Sequence, residues 1–285
     1  GYIIAGVCWL AWSAGTAMVL LGLAPVRGVM QSVVDGWFHA NLELVAGTLV
    51  ALGLLYAWLP HWTGRPLYSR HLATLTFAGL LLFASWTGIS PSRPVPAWLP
   101  VLSTVMVVMC GVPWLAAWLN WHRSIRGEGR CLWQDPAGRF ASVAQGAFVV
   151  GALAKLGLHW PGLDRLLEFT WWETARQWAY VWGFLGLAGV AGVYAWMQGE
   201  KSLRGWERLA RGQFWCMAGG VLVCVCSLAV AGIRQGLGWQ DATVSNVDVL
   251  RRTLMWLRWS TIGDLLWGLG AVLFCWNLLG VAIRG

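Results

Sequence analysis

Charged residues are scarce in this sequence. Asp, Glu, Lys and Arg make up 11% of its 285 residues, whereas an ordinary globular chain contains roughly 25%. Hydrophobic residues account for 58% of the chain, and its mean hydropathy is +0.60. A soluble domain is therefore excluded. The net charge of +8 does not indicate a nucleic-acid partner, because the basic residues lie in short gaps between apolar runs, as is typical of membrane proteins.

Short metal-binding and haem-binding motifs are also missing. The chain has seven cysteines and five histidines, but it has no CxxC or CxxCH sequence and no histidines in the spacings HH, HxH or HxxxH. These absences exclude a thiolate metal site and covalent c-type haem attachment. His39 and His159 fall near the same predicted side of the membrane, and they are the candidate axial ligands of a b-type haem.

Long apolar runs, in contrast, fill most of the chain. A helix that crosses a bilayer needs about 20 mostly apolar residues, and these runs are continuous, whereas the strands of a membrane barrel alternate in polarity. We therefore predict an all-α, polytopic helical bundle that forms a single membrane domain over residues 1–285. The expected spans are residues 2–24, 36–59, 70–89, 98–120, 140–158, 176–197, 212–233 and 262–283.

The gaps between these spans carry unequal numbers of basic residues. Eleven lie in the second, fourth and sixth gaps or at the C-terminal end, namely Arg65, Arg70, Arg123, Arg126, Arg130, Arg139, Lys201, Arg204, Arg208, Arg211 and Arg284. Seven lie in the odd-numbered gaps, namely Arg27, Arg93, Arg165, Arg234, Arg251, Arg252 and Arg258. Since cytoplasmic loops carry the excess of Lys and Arg, both termini are predicted to face the cytoplasm.

Four ionisable side chains fall within the spans or at their edges: Glu43, Lys155, Arg176 and Asp264. Such groups are costly in a membrane unless they are paired or reach the interface. Glu43 lies about two turns inside its span, so we expect an ion pair with Arg176 or Lys155. A proton or solute pathway through the same groups is the alternative. Asp264 lies about one turn inside the last span.

Several motifs, in order along the chain, resemble the catalytic subunit of cbb3-type cytochrome c oxidases. Residues 36–41 (Gly-Trp-Phe-His-Ala-Asn) and 59–69 (Leu-Pro-His-Trp-Thr-Gly-Arg-Pro-Leu-Tyr-Ser) are similar to that family's Trp-Trp-Tyr-Gly-His-Asn and Leu-Pro-Lys-Gln-Ala-Gly-Arg-Pro-Val-Tyr-Ser. Further similar stretches are Trp86-Thr87-Gly88, Trp121-His122-Arg123, Asp135-Pro136, residues 230–239 and Trp276-Asn277-Leu278. The resemblance implies that the spans correspond to the last eight of the family's twelve helices, in a bacterial inner membrane.

The same resemblance implies that other residues occupy the family's ligand positions. Ala40 stands where the family has a copper-binding histidine, and Ser90 and Pro91 stand at its paired copper ligands. Arg176-Gln177-Trp178 stands at the His-x-His that binds both haems, and Ala84 at the cross-linked tyrosine. The family's first four helices, with the other low-spin haem ligand, lie outside this sequence. We therefore expect no haem or copper in this chain and place these cofactors, if present, in partner subunits.

Tryptophan is in excess, with 24 residues. Four of them, Trp171, Trp172, Trp178 and Trp182, lie where the resemblance expects the haem-binding helix to begin. Because protein interiors leave few large voids, we interpret part of this excess as filling volume that cofactors occupy in the family.

These observations predict a non-catalytic structural or docking subunit of a membrane electron-transfer complex. It is not expected to be an enzyme by itself, although it would belong to an oxidoreductase complex with other membrane subunits and c-type cytochromes. Arg234, Arg251, Arg252 and Arg258 are the candidate docking residues for an acidic or c-type cytochrome partner. The alternatives are an electron-transfer subunit that binds one b haem through His39 or His159 and a partner's ligand, or the pathway subunit mentioned above.

Overall fold

The protein is described by a computed structural model that covers residues 1–23, 25–90, 94–198 and 207–284. Over these residues the secondary structure is helical and contains no strand. The helices are α1 (Tyr2–Met18), α2 (Val29–Ala40), α3 (Thr48–Thr63), α4 (Arg70–Phe83), α5 (Trp98–Ser124), α6 (Gly129–Gln134), α7 (Pro136–Gly157), α8 (Leu163–Leu167), α9 (Trp171–Gln177), α10 (Leu187–Gln198), α11 (Glu207–Gln240) and α12 (Asn246–Arg284). Three π-helical segments extend or join them: Val19–Leu23, Asn41–Gly47 and Trp178–Gly186.

Within the described residues, seven helices are long and apolar enough to cross a membrane. They are Tyr2–Leu23, Val29–Thr63, Trp98–Ser124, Pro136–Gly157, Trp171–Gln198, Arg208–Gln240 and Asn246–Gly280. The prediction of a polytopic helical membrane protein is thus confirmed. The predicted span at 70–89 is shorter than expected, because α4 ends at Phe83 and a 3₁₀ turn, Ala84–Trp86, follows it. The 14 residues of α4 extend about 21 Å.

Polar residues and glycine set the helix boundaries. Ser69 Oγ accepts a hydrogen bond from the Leu72 amide at the start of α4. Asp135 accepts one from Gly138 at the start of α7, with Pro136 in the first turn. Such caps satisfy amide groups that have no partner within the helix. At the other end of α3, Gly64 adopts the left-handed conformation that commonly terminates a helix.

The residues form two compact units, 1–126 and 127–285. In the first unit, α1 packs on α3 and on the π-helical segment 41–47, while α4 packs on α5. Gly6 lies directly against the Val50 side chain and the Ala46 carbonyl. Asn120 of α5 is fully buried and exchanges two hydrogen bonds of 3.0 Å with the Ser69 backbone. This unit is therefore held together by close helix contacts and by buried amides.

The second unit is organised around the pairing of α11 with α12. The two helices approach closely at Gly220 and Gly263, where an added Cβ would meet the other helix's backbone. The helix α7 packs on the segment Trp178–Gly186 and on α10, and Phe140, Phe148, Phe184 and Tyr194 are almost fully buried there. Small residues at helix crossings and large aromatic residues in the core are typical of membrane helix packing.

The gap between predicted spans from Arg234 to Arg258 is largely helical. Helices α11 and α12 occupy this stretch almost entirely, leaving only residues 241–245 between them. Hydropathy marks only the part of a helix that lies in lipid, so it does not show how far a helix extends beyond that part. Four residues used in the sequence predictions, Pro91, Arg93, Lys201 and Arg204, lie outside the described residues. The prediction of one membrane domain stays a prediction.

Candidate functional site

The position of the expected copper ligand, Ala40, is closely packed. Ala40 is 5% exposed at the end of α2. Gly88 has a φ of 107°, and a Cβ built on it would lie 2.8 Å from the Ala40 Cβ and still closer to the Gly36 carbonyl oxygen. An alanine side chain has no ligand atom, and the neighbouring backbone leaves no space for a larger one on this side. The residues present here therefore do not fit a copper ion.

The next residue, Asn41, links three segments of the first unit. Its Oδ1 accepts a hydrogen bond of 2.9 Å from the Trp9 indole. Its Nδ2 donates to the carbonyl oxygens of Trp37, at 2.8 Å, and Ser85, at 3.1 Å. Asn41 is fully buried and begins the π-helical segment Asn41–Gly47. Asn41, the last residue of the motif at 36–41, thus has a clear structural role.

His39 and Glu43 lie two residues before and two residues after Asn41. Glu43 is half-buried within the π-helical segment, and its carbonyl accepts a hydrogen bond of 3.1 Å from Thr48 Oγ1. His39 is exposed, and its ring donates from Nδ1 to the Asp35 carbonyl oxygen at 2.8 Å. The pairing of Glu43 with Arg176 or Lys155 and the binding of haem by His39 both stay predictions.

In the second unit, the expected haem-ligand position is occupied by an ion pair between the buried Arg176 and the partly exposed Glu173. Arg176 is 4% exposed. Its Nε lies 3.0 Å from both carboxylate oxygens of Glu173, and its Nη2 lies 2.7 Å from Oε1. Charge-assisted hydrogen bonds that share one carboxylate in this way are strong and fix the guanidinium orientation. Haem iron is held by His, Cys, Met or Tyr side chains, so the residues at this position do not fit a haem.

Lys155 and His159 complete what we call the charge cluster, which consists of Lys155, His159, Glu173 and Arg176. The His159 ring donates from Nδ1 to the Lys155 carbonyl oxygen at 3.1 Å. Burial, assisted by the positive charge of Lys155, lowers the pKa of His159 to about 4. The imidazole is therefore neutral at pH 7. The sequence predictions named three of these residues but overlooked Glu173, although its spacing of three residues before Arg176 is typical of a helical ion pair.

Tryptophan side chains pack beside this cluster. The ring centroids of Trp178 and Trp182 lie 5.7 Å apart, and Trp267 of α12 lies 4.6 Å from Trp182. The Trp172 indole donates to the Ala154 carbonyl oxygen at 3.4 Å. A groove of about 410 Å³ remains next to these rings, and it is lined by apolar residues that include Trp182, Trp267, Met217 and Phe274. The interpretation that tryptophans fill volume that cofactors occupy in the family stays a prediction.

The four candidate docking arginines lie on the same end of the second unit as the charge cluster. Gln235 Oε1 accepts a hydrogen bond of 3.2 Å from the Trp171 amide, so the end of α11 is level with the start of α9. All four arginines are exposed: Arg234, Arg251, Arg252 and Arg258. Arg234 lies over the Trp256 ring, with 5.5 Å from its Cζ to the ring centroid. Arg251 lies 3.9 Å from Asp248 in an exposed pair.

Comparison with known proteins identifies the family. The sequence model of the family described as cytochrome c and quinol oxidase polypeptide I matches residues 1–266. A cytochrome c oxidase subunit 1 homolog of Azorhizobium caulinodans is 22% identical over 271 residues, which cover 90% of this chain and 48% of that protein. Cytochrome c oxidase subunit 1 of Rhodobacter capsulatus is 22% identical over 267 residues, or 89% of this chain and 49% of that protein.

A further relative is the cbb3-type cytochrome c oxidase subunit CcoN1 of Stutzerimonas stutzeri, which is 23% identical over 218 residues. These cover 75% of this chain and 46% of that protein. The chain thus spans about half of the length of the curated relatives it matches. The match over residues 1–266 shows that the chain belongs to the family of cytochrome c and quinol oxidase polypeptide I.

Proposed function

We propose that this chain is a non-catalytic structural and docking subunit of a membrane electron-transfer complex and that it binds neither haem nor copper. The observation that carries the proposal is the ion pair between the buried Arg176 and Glu173. It stands where the resemblance expects the histidines that bind both haems. Arg176 and Trp178 offer no iron ligand, and the ion pair gives the position a separate, structural use.

The Ala40 position supports the same proposal independently. Where the family has a copper-binding histidine, Ala40 packs closely on Gly88. Ala40 in the first unit and Arg176 in the second, which the resemblance places at ligand positions, thus offer no side-chain atom that commonly binds copper or haem iron. Electron transfer would take place in partner subunits, such as c-type cytochromes, and this chain would hold those partners in a bacterial inner membrane with both of its termini in the cytoplasm.

The test is isolation of the chain from its native membrane in mild detergent, followed by haem, copper and subunit analysis. We expect membrane subunits to co-purify and haem to be found only on polypeptides other than this one. After the partners are removed, the chain should show no α-band on reduction. One b haem or one copper ion per isolated chain would overturn the proposal.

The exposed arginines are the proposed contact for the water-soluble part of a partner. Long-range attraction between opposite charges raises the rate of association and falls as salt screens it. We expect the double reversal Arg251→Glu and Arg252→Glu to slow binding of an acidic c-type cytochrome by about tenfold at low salt. The matched control is Arg211→Glu, near the other end of α11 from Arg234, which should leave the rate unchanged.

His159 favours a second candidate function. Its neutral imidazole, with Nδ1 bound to a carbonyl oxygen, has the tautomer in which Nε2 is free to bind a metal. A b-type haem held by His159 and a ligand from a partner would make the chain an electron-transfer subunit. In that case His159→Ala would abolish a haem spectrum in the assembled complex, whereas on the first proposal the spectrum would not change.

A further inference from the structure

Asp264 is an exposed carboxylate deep in the apolar layer of the second unit. It lies on α12, and the Cys224 thiol of α11 lies 3.6 Å from its Oδ1. Its neighbour Gly263 packs directly on Gly220 and Cys224, so Asp264 is level with Cys224. The depth of Cys224 in α11 therefore gives the depth of Asp264 in the membrane.

Helix α11 is uncharged from residue 212 to residue 233. Cys224 is ten residues before Arg234 and thirteen after Arg211, which at 1.5 Å per residue means about 15 Å and 20 Å from the two charged ends. By this measure Asp264 lies within the apolar part of the second unit, about 15 Å from the level of Arg234.

A carboxylate at this depth is costly when it faces lipid. Among the described residues, its hydrogen-bond donor is the Cys224 thiol, and a thiol is a weak donor. The remaining carboxylate surface points out of the unit. A polar group at a lipid-facing position of a membrane helix indicates a protein contact there, because another helix can supply the donor that lipid lacks.

The surface around Asp264 has the shape for such a contact. Thr261 and Cys275 are exposed and Gly268 is partly exposed on the same side of α12, within about 60° of Asp264 around the helix axis. A Cβ added to Gly268 would meet no atom within 4 Å, so a neighbouring backbone can approach closely at this point. Beside this side of α12 runs the apolar groove of about 410 Å³, to which Trp267, Ala271 and Phe274 contribute.

We propose that a transmembrane helix of a second polypeptide lies along this side of α12. Large apolar side chains of that helix occupy the groove, and a Lys or Arg side chain pairs with Asp264. This inference rests on the proposed docking function and names where, and with what chemistry, the membrane partner binds. A second copy of this chain is disfavoured as the occupant, since a two-fold contact around Asp264 would bring two carboxylates together.

The first experiment identifies the occupant in native membranes. A photo-activatable amino acid replaces Val272, which is exposed close to the same side of α12. We expect a cross-link to a different polypeptide that has a basic residue within an apolar helix. A product made of two copies of this chain, or adducts with lipid alone, would overturn the proposal.

The second experiment tests the contact itself by quantifying the partner that co-purifies in mild detergent. We expect Asp264→Asn to lower the partner-to-chain ratio by about fivefold and Gly268→Leu by about tenfold, because the first removes the charge and the second blocks the close approach. Asp264→Glu should largely retain the partner. The matched controls are Asp248→Asn, an exposed carboxylate of the same helix, and Gly219→Leu, another glycine with open space around its Cα.

Two measurements distinguish loss of partner binding from loss of folding. The amount of each variant in the membrane and its unfolding temperature without partner exclude loss of folding as the cause. If the partner stays bound to Asp264→Asn and Gly268→Leu, this inference fails while the proposed function stands. If no membrane partner co-purifies with the unaltered chain, both fail.

Discussion

Ala40 and Arg176, the two positions that the resemblance assigns to ligands, have different surroundings in the two units. In the first unit, Ala40 is neutral and closed in by Gly88, and the neighbouring Asn41 links three segments through hydrogen bonds. In the second unit, Arg176 is charged and buried, and it is held by Glu173 beside a group of tryptophans. One position has been closed by small residues, whereas the other has been given a polar interaction of its own.

This difference predicts different sensitivities. The first unit should respond to added volume, because its backbone segments are in contact. The second should respond to changes in charge, because a buried guanidinium depends on its carboxylate. Substitutions in each unit test this contrast, and the change in unfolding free energy can be measured on the purified chain in detergent.

Removal of the Glu173 charge should have the largest effect. Glu173→Gln leaves the guanidinium of Arg176 buried without this carboxylate, and a buried pair that loses one partner typically costs about 4 kcal/mol of unfolding free energy. The double variant Glu173→Leu with Arg176→Met removes both charges and should cost less than about 2 kcal/mol. The exposed pair serves as the control, since Arg251→Ala should change stability by less than about 1 kcal/mol. Equal losses for Glu173→Gln and Arg251→Ala would refute the claim that burial makes the pair important.

An added methyl group at Gly88 should have the next largest effect. Gly88→Ala places a Cβ against the Gly36 carbonyl and Ala40, at a φ of 107° that side chains rarely adopt. Overpacking and backbone strain together should cost about 3 kcal/mol. Gly111→Ala is the matched control in the same unit, because its Cβ would meet nothing within 4 Å, and there we expect a gain of about 0.5 kcal/mol. A tolerated Gly88→Ala would mean that the Ala40 position has space for a larger group.

The Asn41 hydrogen bonds should contribute somewhat less. Asn41→Leu leaves the half-buried Trp9 indole and Ser85 carbonyl without this partner, and the expected cost is about 2 kcal/mol. Thr74→Ala, which removes an exposed hydroxyl hydrogen bond, should be close to neutral. If Asn41→Leu is as stable as the unaltered protein, the amide has been retained for something other than stability.

Much of the fold could be predicted because hydropathy reports directly on contact with lipid. The apolar runs predicted a polytopic helical membrane protein, and the motifs around Asn41 and Trp121 pointed to the family. Hydropathy does not report on the part of a helix outside the bilayer, which is why it did not indicate that residues 246–258 are helical. It also cannot show that α4 ends early, since that depends on the turn before Gly88.

The candidate site was only partly predictable. The resemblance led us to expect that Ala40 and Arg176 stand at ligand positions of the family, and this expectation stays a prediction. The partner of Arg176 could not be identified from depth alone, since Glu43, Lys155 and Glu173 are all plausible neighbours of a charged side chain at a span edge. In the structure Glu173 lies against Arg176, with three N···O distances of 3.0 Å or less. Likewise, the depth of Asp264 follows from its contact with Cys224 and not from its distance to the end of an apolar run.

The smallest expected effect is the pH dependence that His159 adds to the second unit. Burial lowers the pKa of His159 to about 4, below its ordinary value of 6.5, so between these values the unfolded chain binds more protons than the folded one. The contribution of His159 is therefore complete above pH 6.5 and is lost as the pH falls toward 4. Because the ring is only half-buried, we expect a loss of about 1 kcal/mol between pH 7.5 and pH 5. Carboxylates also titrate in this range, so the measurement is the difference between the unaltered chain and His159→Gln, which should lack this part of the slope. Identical slopes would mean that the charge cluster does not hold His159 neutral, and the case for His159 as a metal ligand would lose its support.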